Sequence, residues 1–304
     1  MDRHAPLQGI HVPLVTPFTA AGRVAEDAFE GLAHAVLDAG ADGIVALGTT
    51  AEAATLDAGE RAAVVDVCAR VCREHGAPLT VGVGGSDTRA AGRALAGLAR
   101  RPEATAALVP VPAFTRPSPA GVLAHFSRLA EESPLPLVVY HIPYRTGQDL
   151  DASALRTLGR IPGVRGVKLA TGAVDRDTVD LLGDLPPDFA VLAGDDLYLS
   201  PLLALGAAGG ILASAHLATG RFVELAAAWR RGDLARARDL GHALARLSAA
   251  VFREPNPTVV KGVLYAQGRI PTPDVRLPLL PARRDSVERV LEQLAGPDRL
   301  PAPA

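Results

Sequence analysis

The stretch LPLVVYHIPYRTGQDLDASALRTLGRIPGVRGVKLATG, residues 135–172, decides the fold. Its first apolar run, Leu135–Pro143, is rich in Val, Leu and Ile without strict alternation, as a strand buried on both faces is. Asp151 followed by Ala152-Ser153-Ala154-Leu155 reads as an N-cap and first turn, opening a helix over Ala152–Gly159. A second apolar run, Val164–Thr171, follows. Strand, helix and strand in this order form the repeating unit of a parallel sheet.

The unit recurs on both sides of this stretch. Further β-like runs occupy Gly9–Thr16, Asp42–Thr50, Pro78–Gly85, Thr105–Pro112, Phe189–Asp196 and Gly209–His216. Helical stretches lie between them, at Glu26–Ala39, Ala58–Glu74, Thr88–Ala99 and Pro119–Glu131. Eight β/α repeats in about 220 residues predict an α/β fold, a (β/α)8 TIM barrel. A doubly wound sheet is the alternative, and the missing early Gly-x-Gly-x-x-Gly loop counts against it.

After His216 the pattern changes. Arg221–Ala250 is rich in Ala, Leu and Arg at helical spacing, and Val259–Gln267 and Ser286–Ala295 also read as helices. Residues 1–220 are therefore expected to form the barrel, and residues 221–304 a C-terminal helical region packed on it. Glu254-Pro255-Asn256-Pro257 is a rigid break between two of its helices. Pro281–Arg284 reads as a loop and Gly296–Ala304 as a frayed end.

Bulk properties exclude several classes of function. The 304 residues are 48% hydrophobic, enough for a large core, and the formal net charge is −2. There is no basic stripe and aromatic residues make up only 4%, so no nucleic-acid partner is expected. No apolar stretch approaches the ~18 residues of a membrane span. Met1–Pro6 has no apolar signal core, and the expected location is cytoplasmic. Cys68 and Cys72 would share one helix face. With no second pair to complete a zinc site, they read as buried free thiols.

Of the 31 basic residues only Lys168 and Lys261 are lysine. Where charge alone is needed this chain uses Arg. A lysine inside an apolar run therefore suggests chemistry closed to a guanidinium, namely losing a proton and attacking a carbonyl. Barrel enzymes carry reactive groups at the C-terminal ends of their strands. Thr49 and Thr50, Phe114, Tyr140 and His141 with Arg145 beyond, Lys168, Asp195 and Asp196, and His216 all fall at such ends. Lysine, tyrosine, arginine and a hydroxyl pair at one opening make a carbonyl site. The lysine forms a Schiff base, the tyrosine moves protons, and the arginine and threonines bind carboxylates. His141, His216, Asp195 and Asp196 offer a metal site instead. A Schiff-base lysine needs none, and paired acids after a strand often cap the next helix, so neither metal nor cofactor is expected. Glu52 could cap the turn after Thr49-Thr50, and Lys261 reads as non-catalytic.

Four segments carry a family resemblance: Gly48–Leu56 (GTTAEAATL), Tyr140–Gly147 (YHIPYRTG), Gly166–Gly172 (GVKLATG) and Glu254–Lys261 (EPNPTVVK). Ordered and spaced as they are, they resemble the dihydrodipicolinate synthase / N-acetylneuraminate lyase family of pyruvate-dependent class I aldolases, from Val12 to Pro278. The resemblance implies a (β/α)8 barrel with a C-terminal helical part, assembled as a homotetramer (a dimer of dimers). It also implies pyruvate and a small aldehyde as substrates. By position, Lys168 matches the Schiff-base lysine and Tyr140 the general acid and base. Thr49 and Thr50 match the pair that binds the keto-acid carboxylate, Thr49 also serving the proton relay. Arg145, in the Arg-Thr-Gly form of the synthase branch, matches the arginine that holds the second substrate's carboxylate. Gly194 and Ile211 match positions lining the pyruvate pocket.

The departures from the family pattern matter. Phe114 stands where the synthases usually carry a tyrosine that reaches across a dimer interface to complete the relay. Ala113 precedes it, His141 replaces an asparagine, and Ala51 replaces a glycine. Phe114 and His141 are thus the positions where relay or specificity is expected to differ, with His141 or water as a substitute proton route. Ala58, Arg61 and Ala90 stand where some bacterial synthases bind the feedback inhibitor lysine, so no lysine feedback is expected. The resulting expectation is condensation of pyruvate with aspartate semialdehyde in the lysine/diaminopimelate route. A paralogous pyruvate aldolase or dehydratase for another 2-keto acid is the alternative, and a non-catalytic keto-acid binder a second one.

Overall fold

The computed structural model describes residues 7–296. The readings of Met1–Pro6 and of the tail beyond Gly296 lie outside the described residues. Eight strands run in chain order: β1 (Gly9–Pro13), β2 (Gly43–Ala46), β3 (Leu79–Gly82), β4 (Ala104–Pro110), β5 (Leu137–His141), β6 (Val164–Leu169), β7 (Ala190–Ala193) and β8 (Gly209–Ile211). Each pairs in parallel with the next, and β8 pairs back to β1, closing the barrel. All eight strands occur where the sequence predicts them, but most end several residues early. Apolar character continues past the last ladder bond into the loops, whose backbone turns away from the sheet.

The outer layer holds α1 (Glu26–Asp38), α2 (Ala58–His75), α3 (Thr88–Gly97), α4 (Pro119–Glu132), α5 (Pro143–Thr146), α6 (Ala152–Gly159), α7 (Arg176–Gly183) and α8 (Leu199–Ala204). Side-chain caps fix where several of these begin. Asp57 and Glu60 form a reciprocal capping box at α2, and Asp87, Asp151 and Asp175 accept from the first turns of α3, α6 and α7. Then come α9 (Ala215–Arg231), α10 (Leu234–Val251), α11 (Thr258–Ala266) and α12 (Arg284–Ala295). The single helical run read over Arg221–Ala250 is two helices. Gly232 at φ +73° ends the first, and the Asp233 carboxylate caps the second. His216, read as a strand end, instead lies in the first turn of α9.

Two apolar clusters divide the molecule. Val45, Leu108, Val138, Tyr140, Leu192 and Ile211 meet inside the barrel. The larger cluster, between strands and helices, takes the alternate residues, among them Leu137, Val139, Val167 and Leu169. The phase of β6 is set by a bulge. Leu137 pairs with Val164 but Val138 pairs with Gly166, so Arg165 is the extra residue. That shift places Lys168 opposite Tyr140. A slip of one residue would put Val167 there and turn the lysine into the helix layer. Cys68 and Cys72 are both buried and free on α2, and burial raises both thiols, Cys72 to about 12. They are packing groups, not nucleophiles.

Candidate active site

Lys168 sits on the inner face of β6, only 6% exposed, beside Tyr140 on β5. Its amine lies 4.3 Å from the centre of the Tyr140 ring. Burial drives its pKa down to about 8, against the pull of Asp196 and with a further push from Arg145. At pH 7 such an amine is neutral about a tenth of the time, several hundredfold more than an ordinary lysine. The Tyr140 hydroxyl is buried as well, which raises it to about 12, while Arg145 and a hydrogen bond with the Thr49 side chain act the other way. Tyr140 therefore stays protonated and can pass a proton on through its hydroxyl.

The neighbours leave room for the lysine stem. A Cβ on Gly194 would lie 3.0 Å from Lys168 Cγ and 2.9 Å from Ala170 Cβ, so only glycine fits beside the amine's stem. Ile211 lines the same interior. Thr49 and Thr50 lie in a 3-10 turn, Thr49–Ala51, after β2 has ended. Arg145 belongs to the short α5, whose last turn closes at Gly147 in the left-handed region, φ +69°. Its guanidinium is exposed at the mouth and donates to the Tyr144 hydroxyl at 2.9 Å.

Two carboxylates complete the charge around Lys168. Asp195 accepts from Gly172 N at 2.6 Å, and Asp196 from Ser214 N at 2.5 Å. Burial raises both, Asp196 to about 6. Neither caps the following α8 with its side chain, as the sequence alone suggested. Instead they tie the β7 loop to the β6 and β8 loops around the lysine.

Other positions are not brought into this cluster. His141 lies on the face of β5 opposite Tyr140, wholly buried toward the helices, 3.4 Å from Asp149. Strand alternation fixes this, because neighbours of an inward Tyr140 point outward. Phe114 is 95% exposed on the loop after β4, with φ +65°. His216 Nε2 accepts from Val15 N at 3.1 Å, and burial drives its pKa down to about 3, so it is a neutral structural ring. The two histidines and two aspartates weighed as a metal set thus point in separate directions. The Glu52 side chain does not cap its own turn either; only the residue's backbone N–H closes it, on Thr49 O at 3.1 Å. Its backbone turns left-handed at φ +54°, and its carboxylate reaches Lys261 at 2.8 Å and Arg276 N at 2.7 Å. Asn256, read as part of a rigid break and of the family-like segment Glu254–Lys261 but given no role, donates from Nδ2 to Thr50 Oγ1 at 2.9 Å. A polar side chain held between two prolines was the available signal. A groove of about 1040 Å³ opens elsewhere, between Arg23, Asp27, Asp57 and Arg269, and holds neither Lys168 nor Tyr140.

Known proteins match this chain along nearly its whole length. The model of the "Dihydrodipicolinate synthetase family" matches residues 6–295. A 4-hydroxy-tetrahydrodipicolinate synthase from Maridesulfovibrio salexigens is 36% identical over 288 residues, covering 94% of this chain and 97% of that protein. One from Neisseria meningitidis serogroup B is 33% identical over 294 residues, 97% of this chain and 100% of that protein. Among solved structures, the chloride-inhibited dihydrodipicolinate synthase of Acinetobacter baumannii complexed with pyruvate superposes with a TM-score of 0.89. It is 34% identical and covers 95% of this chain and 98% of its own.

Proposed function

The chain belongs to the dihydrodipicolinate synthetase family, and on that premise we propose that it is a Schiff-base lyase condensing pyruvate with aspartate semialdehyde to 4-hydroxy-tetrahydrodipicolinate. The observation that carries the reading is the pairing of a buried, proton-poor Lys168 with a buried, protonated Tyr140 on adjacent strands.

The cycle follows from those groups. Neutral Lys168 Nζ adds to the ketone carbon of pyruvate. Tyr140 delivers the proton that lets the carbinolamine oxygen leave as water, which gives the imine. Thr49 and Thr50 hold the keto-acid carboxylate, and the Thr49 side chain links to Tyr140. Loss of a methyl proton turns the imine into an enamine, whose carbon attacks the aldehyde carbon of the second substrate. Arg145 meets that substrate's carboxylate at the mouth. The substrate's own amine then adds to the imine carbon, closes the ring and expels Lys168. Gly194 and Ile211 shape the pocket around the imine, Gly194 by leaving the lysine stem unhindered.

Phe114 marks where the proton path of this chain differs from that of synthases with a tyrosine at this position, since its ring has no hydroxyl to contribute. Its exposure supports burial against another copy of the chain in the homotetramer the reading includes. Sedimentation velocity tests that assembly, and a monomer at micromolar concentration would refute it. A cytoplasmic location belongs to the same reading. Among the described residues no helix is long and apolar enough to cross a membrane.

The test is an aldehyde screen on the purified chain with pyruvate. Turnover with aspartate semialdehyde at kcat/KM of about 10⁴ M⁻¹s⁻¹ or more is expected. Turnover only with sugar-like 2-keto acids would move the chain to another branch of the family.

A further inference from the structure

We propose that Asn256, in the turn between α10 and α11, and Lys261, on α11, are positioning residues for the Thr49–Thr50 carboxylate site. Asn256 sets which way the Thr50 hydroxyl donates, and Lys261 anchors the turn that carries it. This inference rests on the reading of Thr49 and Thr50 as the pair that binds pyruvate's carboxylate.

Asn256 Nδ2 donates to Thr50 Oγ1 at 2.9 Å. Asn256 Oδ1 is buried and accepts nothing among the described residues. The opposite amide orientation would strand the N–H donors in its place, and orphaned buried N–H groups are the rarer case. With a donor already directed at its oxygen, Thr50 must aim its own hydrogen elsewhere. A carboxylate held by this turn needs donors, and a hydroxyl whose hydrogen pointed at Asn256 would offer it only lone pairs.

The anchor lies two residues on. Glu52 is in the left-handed region at φ +54°, a conformation that a residue with a Cβ rarely adopts. Its carboxylate receives Lys261 Nζ at 2.8 Å and Arg276 N at 2.7 Å, with both charged side chains almost wholly buried. Lys261 Nζ also lies 4.1 Å from the centre of the Phe18 ring, which is itself buried. Thr16 Oγ1 donates to Ala51 O at 2.8 Å, and Arg276 Nη1 to Thr55 O at 2.7 Å. The turn is therefore held on each side of Glu52 by groups that play no part in the reaction. The Arg276 guanidinium lies against the same Phe18 ring, its central carbon 4.4 Å from the ring centre.

The experiment compares wild type with Asn256→Ala, Asn256→Asp and Lys261→Met. It measures the saturation constant for pyruvate in borohydride trapping, the KM for aspartate semialdehyde, and Tm. Asn256→Ala should raise the pyruvate constant by about three- to tenfold. Asn256→Asp, equal in size but an acceptor, should raise it further, while the aldehyde KM stays within about twofold and Tm within a few degrees. Lys261→Met should shift the pyruvate constant in the same direction. Asn256→Ala adds no charge and leaves every buried charge paired, so it decides the matter if Lys261→Met fails to fold. Pyruvate constants unchanged in both Asn256 variants would overturn the inference and leave the proposed function standing. So would an aspartate milder than alanine, or both substrate constants rising together. No adduct on folded wild type would instead bring down the proposed function, and this inference with it.

Discussion

The two lysines of this chain make the informative comparison. Both are buried, and both hold their amine over an aromatic ring, Lys168 4.3 Å from the centre of Tyr140 and Lys261 4.1 Å from that of Phe18. Lys261 is bonded to the Glu52 carboxylate at 2.8 Å, which opposes the lowering of its pKa by burial. Lys168 makes no ion pair among the described residues. Asp195 and Asp196 spend hydrogen-bonding capacity on backbone N–H groups of Gly172 and Ser214 instead. Burial alone does not make a nucleophile. Burial lowers both amines, but Lys261 is held in a direct ion pair with Glu52, whereas the carboxylates nearest Lys168 are engaged elsewhere and leave its amine free to react.

The sharpest way to break the comparison is to make the lysines equivalent. Lys168→Arg keeps a charge in the barrel but removes a deprotonatable amine, and should cut kcat/KM by at least about 10⁴-fold, measured by steady-state turnover. Activity within tenfold of wild type would mean that the barrel lysine is only a charge. The reciprocal change, Lys261→Met, should leave the Schiff base chemically available. It should destabilise the fold by about 3–5 kcal/mol in urea denaturation, because Glu52 is left buried and unpaired. Pairing it with Glu52→Gln should recover most of that loss.

Removing the other half of the barrel site is expected to cost less than losing the nucleophile. Tyr140→Phe should slow turnover by about 10²–10⁴-fold, the range for losing a positioned acid and base, while still forming some trapped adduct at long times. Loss of the adduct at all times would give Tyr140 a binding role instead. The smallest effect is on pH dependence. With Lys168 at about 8, the neutral fraction, and with it the initial rate of adduct formation, should fall about tenfold per unit below pH 8 and flatten above it. A rate still climbing tenfold per unit through pH 9.5 would place the amine at its ordinary value.

Much of this was legible in the residues, and the misses share one cause. The barrel follows from eight apolar runs with capped helices between them, and the scarcity of lysine singled out Lys168 before any geometry. Strand lengths were overestimated because runs such as Asp42–Thr50 stay apolar or small after the ladder ends at Ala46. The helix over Arg221–Ala250 was overrun because Gly232 and Asp233 act as stop and start only when read as caps. His141 could not be assigned a face until the phase of β5 was known. Asn256 lies 206 positions from Thr50 and Lys261 lies 209 from Glu52, and sequence spacing carries no trace of their shared grip on one turn.

The central claim is that Lys168, and not Lys261, forms the covalent bond to pyruvate. Its most direct test is intact mass and peptide mapping after incubation with pyruvate and borohydride, on wild type and on a Lys168→Ala variant. The account predicts one reduced pyruvate adduct on wild type, mapped to the peptide containing Lys168, and none on the variant. An adduct on Lys261, or one that persists in Lys168→Ala, would contradict it.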